Sequence, residues 1–107
     1  MFIAIACILP YLRHMKMEWD EAKRLRTLAE RGLDFADVAD ADWAEALTVE
    51  DARGDYGERR FVSLVPVLGR LCVVAWCIRG GALRVISLRK ANARERKRYG
   101  EDQQTLD

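Results

Sequence analysis

The sequence predicts an α+β domain, with two N-terminal helices packed on a four-stranded, mainly antiparallel sheet and a further helix at the C-terminus. Three observations lead to this prediction. Apolar residues recur at helical spacing between residues 20 and 39, apolar and polar residues alternate between residues 47 and 88, and helical spacing returns after residue 91. With 107 residues, 50% of them hydrophobic and 33% charged, the chain fits one globular domain with a single core.

Two short helices are predicted after an initial strand, with only two or three residues between them. Asp20 is placed to cap the first helix, and Gly32 to end it in the left-handed conformation. A narrow apolar stripe on this helix consists of Ala22, Leu25, Leu28 and Ala29. Asp34 is placed to cap the second helix, whose predicted buried face contains Phe35, Val38 and Ala39. Trp43 either joins that face or lies exposed at a partner interface.

Four strands are predicted to follow as an antiparallel meander. Leu47 and Val49 alternate with polar residues in the first strand, and the other three span residues 60–67, 70–78 and 83–88. Glycines at positions 69, 80 and 81 mark short turns between them. Residues 71–78 carry no charge, so this strand is expected at the centre of the sheet. Simple alternation in the last strand places Arg84, Ile86 and Leu88 on one face and Val85 and Ser87 on the other.

Both ends of the chain are predicted to lie outside the domain, which is expected to span residues 15–100. Residues 2–9 are wholly apolar, but this stretch is too short to span a bilayer, which takes about twenty residues. It also lacks the flanking features of a secretion signal. We interpret residues 1–14 as an apolar leader, with Met15 or Met17 as an alternative translation start. Residues 101–107 are predicted to form a disordered polar tail after a polar helix capped by Asn92.

The three cysteines show no spacing that is typical of a metal site. Cys72 and Cys77 are an odd number of residues apart in one predicted strand, so their side chains are expected on opposite faces and not in a disulfide. We expect reduced, buried cysteines in a cytoplasmic protein. The sequence offers no ligand cluster for a metal and no cofactor motif.

The charges of the chain are unevenly distributed, although its formal net charge is only +1. Residues 18–58 contain 13 acidic and 5 basic side chains. Residues 79–99 contain 8 basic side chains and the single acidic residue Glu95. A strongly basic segment of this kind is the usual mark of a phosphate-rich partner such as a nucleic acid. Within the acidic segment, residues 34–58 contain nine acidic side chains and one basic side chain. They are either a solvated face, an electrostatic counterpart to the basic segment, or a surface that repels RNA and so orients it.

Three segments together resemble the BrnT family of toxins, and the resemblance covers residues 18–99. Residues 18–23, Glu-Trp-Asp-Glu-Ala-Lys, are similar to the E-W-D-x-x-K start of that family. Residues 32–39, Gly-Leu-Asp-Phe-Ala-Asp-Val-Ala, are similar to its G-V-x-F-x-x-A segment. Residues 84–91 read R-x-I-S-x-R-K-A, and R-x-x-Y follows at residues 96–99.

The resemblance implies a RelE-like fold and a metal-independent endoribonuclease that inhibits translation. It also implies a BrnA-like antitoxin encoded beside the toxin, which binds DNA as a dimer, so that DNA is contacted only through the antitoxin. No membrane partner is implied. The chain departs from the family at Arg31, where members often carry His, and this puts the activity of this copy in doubt.

RNA carries its own nucleophile, the 2′-hydroxyl, so the protein must position the backbone, assist proton removal and stabilise a dianionic phosphorane. Lysine and arginine supply the positive charge for that purpose. The candidate catalytic residues are Lys23, Glu58, Arg60, Arg79, Arg89 and Lys90. The candidate RNA-binding residues are Arg59, Arg84, Ser87, Arg94, Lys97 and Arg98. We expect the cations to meet in one pocket at a sheet face or rim, whereas any one of them taken alone can equally be a solvated surface charge.

The general base remains open between Glu58, Tyr56 and Lys90, because the only histidine, His14, falls in the leader. Charge stabilisation without an efficient base, in a slow enzyme, is a further possibility. Two rival functions are kept beside the ribonuclease. One is a module that holds RNA or ribosomes without cleaving them, and the other is a protein that docks an acidic partner through its basic helix.

Overall fold

The computed structural model describes residues 15–52, 54 and 57–105, with side chains described up to residue 101. The two α-helices are α1 (Glu21–Arg31) and α2 (Ala93–Thr105), and two 3-10 helices span Phe35–Asp40 and Trp43–Glu45. The strands are β1 (Met17–Trp19), β2 (Leu47–Asp51), β3 (Arg60–Val67), β4 (Arg70–Arg79) and β5 (Ala82–Lys90). The predicted α+β class is confirmed, but the numbers of helices and strands differ from the prediction.

The sheet has five strands in the order β1-β5-β4-β3-β2, not four. Strands β2 to β5 form the predicted antiparallel meander, with the uncharged segment of β4 at the centre. The additional strand is β1, which pairs parallel to β5 and aligns Glu18 with Arg84. The partner strand of β1 lies more than sixty residues away in the sequence. Three residues are also too few for a period that would show which face is buried. The sequence therefore indicates an initial strand but not its place in the sheet.

A β-bulge in β5 changes the faces predicted for that strand. Ala75 pairs with Ser87 and Trp76 pairs with Val85, so Ile86 is the extra residue and has no partner in β4. On one side of the bulge Leu83 and Val85 are buried, and on the other side Leu88 is buried. The predicted grouping of Arg84, Ile86 and Leu88 on one face is therefore wrong. Because of the extra residue, Ser87 shares a face with Arg84 and not with Val85.

The hydrophobic core lies on one face of the sheet, which we call the inner face. The first 3-10 helix contributes Phe35 and Val38, both fully buried. Trp76 stacks against Phe61 at 4.8 Å between ring centroids and meets Trp43 edge-on at 5.8 Å. Trp43 is 1% exposed, so the alternative of an exposed tryptophan at a partner interface is wrong.

Helix α1 has the predicted caps, but none of its side chains is fully buried. The Asp20 carboxylate accepts a hydrogen bond from the backbone N–H of Lys23, and Gly32 is left-handed at φ 68°. Two leucines of the apolar stripe, Leu25 and Leu28, are 54% and 38% exposed. At the end of the helix, the Arg31 guanidinium donates a 2.8 Å hydrogen bond to the backbone carbonyl of Leu88 in β5.

The second predicted helix is a 3-10 helix of six residues, Phe35–Asp40, and not an α-helix. Its Asp34 cap is confirmed, because the carboxylate accepts a hydrogen bond from the backbone N–H of Ala36. Ala39 is exposed, contrary to the prediction. A six-residue segment rich in Asp gains too few i to i−4 hydrogen bonds to favour an α-helix.

Helix α2 begins with a capping box, in which the Asn92 side chain accepts from the backbone N–H of Glu95 and the Glu95 carboxylate accepts from that of Asn92. The helix continues through Gly100 to Thr105 and so extends past residue 100, the predicted end of the domain. The Tyr99 hydroxyl donates to the backbone carbonyl of Glu45 at 2.7 Å, which ties the helix to the second 3-10 helix. Within residues 15–52, 54 and 57–105, no helix combines the length and apolar character needed to cross a membrane.

Ser63 is a fully buried polar residue, and its substitution tests the hydrogen bonds within the core. Its hydroxyl accepts from the indole Nε1 of Trp76 at 2.8 Å and lies 2.7 Å from the Thr48 hydroxyl. We expect Ser63→Ala to lower the free energy of unfolding by about 1–3 kcal/mol, because two buried polar groups lose their partner. Ser87→Ala on the opposite face is the matched control, with an expected change within about 0.5 kcal/mol. Equal denaturation midpoints in urea for the two variants would contradict this assignment.

Candidate functional site

A charged cleft lies at the end of the sheet where β3 and β5 begin and β4 ends, next to the first turn of α1. It has a volume of about 210 Å³ and is lined by Asp20, Lys23, Arg60, Arg79, Arg84, Val85 and Ile86. Four of the predicted RNA-contacting residues therefore share it, and each comes from a different helix or strand. We call this feature the cationic cleft. It brings together four of the twelve predicted site residues.

Strand register explains how two of these arginines meet on the outer face, the face opposite the core. Arg60 of β3 and Arg84 of β5 both pair with Cys77 of β4, so they flank that residue on neighbouring strands. Strand neighbours are about 5 Å apart, so the two arginines are separated by about 10 Å at their Cα atoms. Side chains of this length can reach a common anion between them.

Glu58 balances part of this positive charge. Its carboxylate accepts two hydrogen bonds from Arg79, at 2.7 Å from Nη2 and 3.3 Å from Nε. The Nε of Arg60 lies 3.9 Å from the same carboxylate. The hydrogen bond from Arg79 holds the pKa of Glu58 below its ordinary value, and Cys77 and Arg60 contribute to the shift. Glu58 is therefore an ionised, arginine-bound carboxylate near neutral pH, and a weak base in this state.

A second carboxylate, Glu18, lies beside Arg84 with 3.6 Å between Oε1 and Nη1. The parallel pairing of β1 with β5 produces this contact, because it aligns the two residues. Lys23, in contrast, makes no ion pair with any residue in the described ranges. Its ammonium group projects from the first turn of α1, where the partial positive charge of the helix end adds to the field of the cleft.

Cys77 lies between Arg60 and Arg84 in the strand register and is fully buried. Burial raises the pKa of its thiol, and the neighbouring Glu58 carboxylate raises it further. A thiol whose deprotonation is disfavoured in this way is a poor nucleophile. The structure therefore gives Cys77 a packing position between the two arginines, with a hydrogen bond to Glu58.

Arg89 and Lys90 do not join the cationic cleft, contrary to the prediction of one shared pocket. They follow Arg84 by five and six residues, which corresponds to about 17–20 Å along an extended strand. Arg89 makes two 2.8 Å hydrogen bonds to Glu95 of α2. Lys90 is exposed and pairs with Cys72, so it lies at the opposite end of β5.

The remaining predicted residues are dispersed. Arg59 forms two hydrogen bonds with Glu50, at 2.9 and 3.0 Å, and its guanidinium lies 5.3 Å from the centroid of the Phe61 ring. Ser87 lies in a second depression on the outer face. Exposed positions on α2 are occupied by Arg94, Lys97 and Arg98. Helix α2 therefore carries a basic surface that is separate from the cleft.

Arg31, where the resemblance implies a histidine, lies at the far end of α1 from Lys23. Eight residues of α-helix separate the two, a distance of about 12 Å. Its hydrogen bond to Leu88 gives it a structural contact with β5. Two other sequence predictions cannot be placed, because Tyr56 and His14 lie outside the described residues. Among the described ranges, no group of three or more His, Cys, Asp or Glu side chains is arranged to hold a metal ion.

Asp20 lines the cleft, and Glu18 and Cys77 lie beside its arginines, but none of the three was predicted as a site residue. Glu18 and Asp20 do fall in the E-W-D motif that carried the family resemblance, so the motif was the available signal. For Cys77 there was none, because its position depends on the register of three strands.

Comparison with protein families gives one match. The family described as "Ribonuclease toxin, BrnT, of type II toxin-antitoxin system" matches residues 19–95, which include α1, the sheet from β2 to β5 and the start of α2. Nothing among curated proteins or solved structures matches the chain. All four cationic residues of the cleft lie within the matched region. The chain belongs to the BrnT family of ribonuclease toxins of type II toxin–antitoxin systems.

Proposed function

We propose that this protein is a metal-independent endoribonuclease whose cationic cleft binds the scissile phosphate of RNA. The observation that supports the proposal is the convergence of Lys23, Arg60, Arg79 and Arg84 on one cleft from four separate elements. Four cations held this close repel one another, and a bound dianion relieves that repulsion. In-line attack by the 2′-hydroxyl builds up such a charge on the phosphorane, which arginine and lysine can stabilise.

Glu58 is the general base that we favour among the three candidates. Lys90 lies at the other end of β5, whereas the Glu58 carboxylate is bonded to Arg79 of the cleft. In the free protein, Glu58 occupies the guanidinium of Arg79. A phosphate that takes over Arg79 removes the main cause of the lowered pKa, so Glu58 becomes a stronger base when substrate is bound. The carboxylate then accepts the proton of the 2′-hydroxyl.

The membership of the family implies an antitoxin that silences the protein. We propose a BrnA-like antitoxin that binds DNA as a dimer and prevents RNA from reaching the cationic cleft. The cellular outcome of the free toxin would be inhibited translation in the cytoplasm, and the fold would be RelE-like. The basic surface of α2, with Arg94, Lys97 and Arg98, is a second contact for the RNA backbone.

A second candidate is an RNA-binding module that does not cleave. The engagement of Glu58 by Arg79 favours it, because it leaves proton removal without a strong base. A third candidate, docking of an acidic partner, is supported only by the basic residues of α2.

Arg79→Ala tests the charge-stabilising role. We expect the single-turnover cleavage rate of single-stranded RNA to fall by about 100- to 1000-fold, because a donor to the dianionic transition state is lost. The matched control is Arg26→Ala, which removes the same charge from an exposed position of α1. RNA that stays intact with wild type and Arg79→Ala alike, while wild type still retards its mobility on a gel, would favour the binding module. Neither retardation nor cleavage would favour the docking role.

Glu58→Gln tests the competition between carboxylate and phosphate. We expect tighter RNA binding, by about 3- to 10-fold at low salt and neutral pH, because the repelling charge is removed while the size is kept. Cleavage should nevertheless slow, because the base is lost. Glu30→Gln, at an exposed position of α1, gives the same change of net charge as a control.

The pH dependence of this affinity difference follows from the direction of the Glu58 pKa shift. Arg79 holds that pKa below the ordinary value for glutamate, so the wild-type carboxylate stays ionised at neutral and weakly acidic pH. The difference between wild type and Glu58→Gln should therefore shrink as the pH falls through the pKa of Glu58 in the RNA complex, and it should disappear below the lowered pKa of the free protein. A difference that is the same at all pH values would show that the carboxylate charge is not responsible.

Controlled expression tests the toxin role directly. We expect induction of wild type to arrest growth and to lower protein synthesis, and co-expression of the adjacent antitoxin gene to restore both. Arg79→Ala should leave growth unaffected at equal protein abundance, because its cleft stabilises the reaction poorly. Growth arrest by Arg79→Ala as strong as that by wild type would rule out the cleft as the source of toxicity.

A further inference from the structure

A second depression lies on the outer face of the sheet, next to the cationic cleft. It has a volume of about 370 Å³. Val62 and Ala75 form its floor with Ser87, and its rim includes Glu50, Asp51 and Arg89. We call it the Ala75 depression. No role follows for it from the cleft chemistry described above.

Small side chains and the β-bulge produce this depression. Val62 pairs with Ala75, which in turn pairs with Ser87, so the three form one row across β3, β4 and β5. Ala75 and Ser87 have short side chains, so the surface of the sheet is recessed at these two positions. The extra residue at Ile86 turns Ser87 onto this face, where a regular strand would have turned it toward the core.

On the outer face, the row of paired residues in the Ala75 depression is the neighbour of the row that contains the arginines of the cationic cleft. Arg60 and Arg84 flank Cys77 in the cleft row, and Cys77 is two residues beyond Ala75 in β4. Two residues of a strand span about 7 Å. That distance is comparable to one nucleotide of single-stranded RNA, so a phosphate in the cleft places a neighbouring base over the depression.

The polar groups of the depression suit a neutral ligand. The charges on its rim are already paired, Glu50 with Arg59 and Arg89 with Glu95. The Ser87 hydroxyl, in contrast, has no hydrogen-bond partner among residues 15–52, 54 and 57–105. An apolar floor with one available hydroxyl matches a planar heterocycle with polar edges, because the ring covers the floor and an edge atom bonds the hydroxyl.

We propose that the Ala75 depression binds the nucleobase next to the scissile phosphate and thereby sets the base preference of cleavage. The inference rests on the proposed function, since it requires the RNA backbone to occupy the cationic cleft. Val62 and Ala75 contact the face of the base, and Ser87 bonds its edge as donor or acceptor. The neighbouring residues Arg60 and Arg84 hold the phosphate.

The test compares oligonucleotides with and without bases. Four 2′-fluoro oligonucleotides, each with a single base type, and an abasic oligonucleotide of equal length and charge are titrated by fluorescence anisotropy. They lack the nucleophile and are not cleaved. Wild type should bind its preferred base at least about fivefold more tightly than the abasic strand. Ala75→Leu fills the depression and should reduce this ratio to less than about twofold, with unchanged affinity for the abasic strand.

Two further variants complete the design. Ala29→Leu is the matched control, because it makes the same substitution at an exposed position of α1, and it should behave as wild type. Ser87→Ala keeps the depression open but removes the hydroxyl, so it should narrow the affinity spread among the four bases. It also covers the case in which Ala75→Leu does not fold, which thermal unfolding would reveal.

Each outcome separates the inference from the function on which it rests. Equal wild-type affinity for base-containing and abasic strands, still weakened by Arg79→Ala, would overturn the nucleobase site and leave the phosphate site standing. Absence of binding to every strand would overturn both. If Ala75→Leu keeps the base preference but escapes neutralisation by the antitoxin, the depression is a protein interface and the nucleobase assignment is wrong.

Discussion

The pairing of β4 with β5 determines which side chains of these strands face the core and which face the cationic cleft. Both strands are long, and their ladder changes register at Ala75 and Trp76. On the inner face this places Trp76 in the aromatic cluster with its indole bonded to Ser63. On the outer face it places Arg84 and Ser87 in neighbouring rows, although a regular strand would put these two residues on opposite faces. Site and core are therefore two consequences of one strand pair, and a shift in its register would alter both.

The electrostatics of the cationic cleft follow from this arrangement. Four positive side chains that line about 210 Å³ need compensation in the folded protein, and Glu58 and Glu18 supply it. Both contacts are partly exposed, so each contributes little to stability and can be exchanged for a phosphate at small cost. The carboxylates thus keep the arginines oriented without occupying them permanently. A more deeply buried ion pair would hold them too tightly for this purpose.

Local sequence was sufficient to predict those parts of the fold whose cause is local. The caps at Asp20, Asp34 and Asn92 bond to backbone groups two or three residues away, and the structure contains all three. The strands of the meander were predicted for the same reason, since alternation and turn glycines act within a few residues. The family resemblance likewise rested on local motifs, and the family match over residues 19–95 confirms it.

Tertiary structure alone decided which of the basic residues share a site. The sequence already indicated a phosphate-rich partner, but it could not separate Arg84 from Arg89, which are five positions apart in one strand. Nor could it bring Lys23 and Glu18 to the same strand end, because the parallel pairing of β1 with β5 joins segments more than sixty residues apart. The direction of a strand side chain depends on register, and register is set by partners and bulges elsewhere in the chain. Composition and motifs therefore determined the kind of chemistry, and strand pairing determined where it can occur.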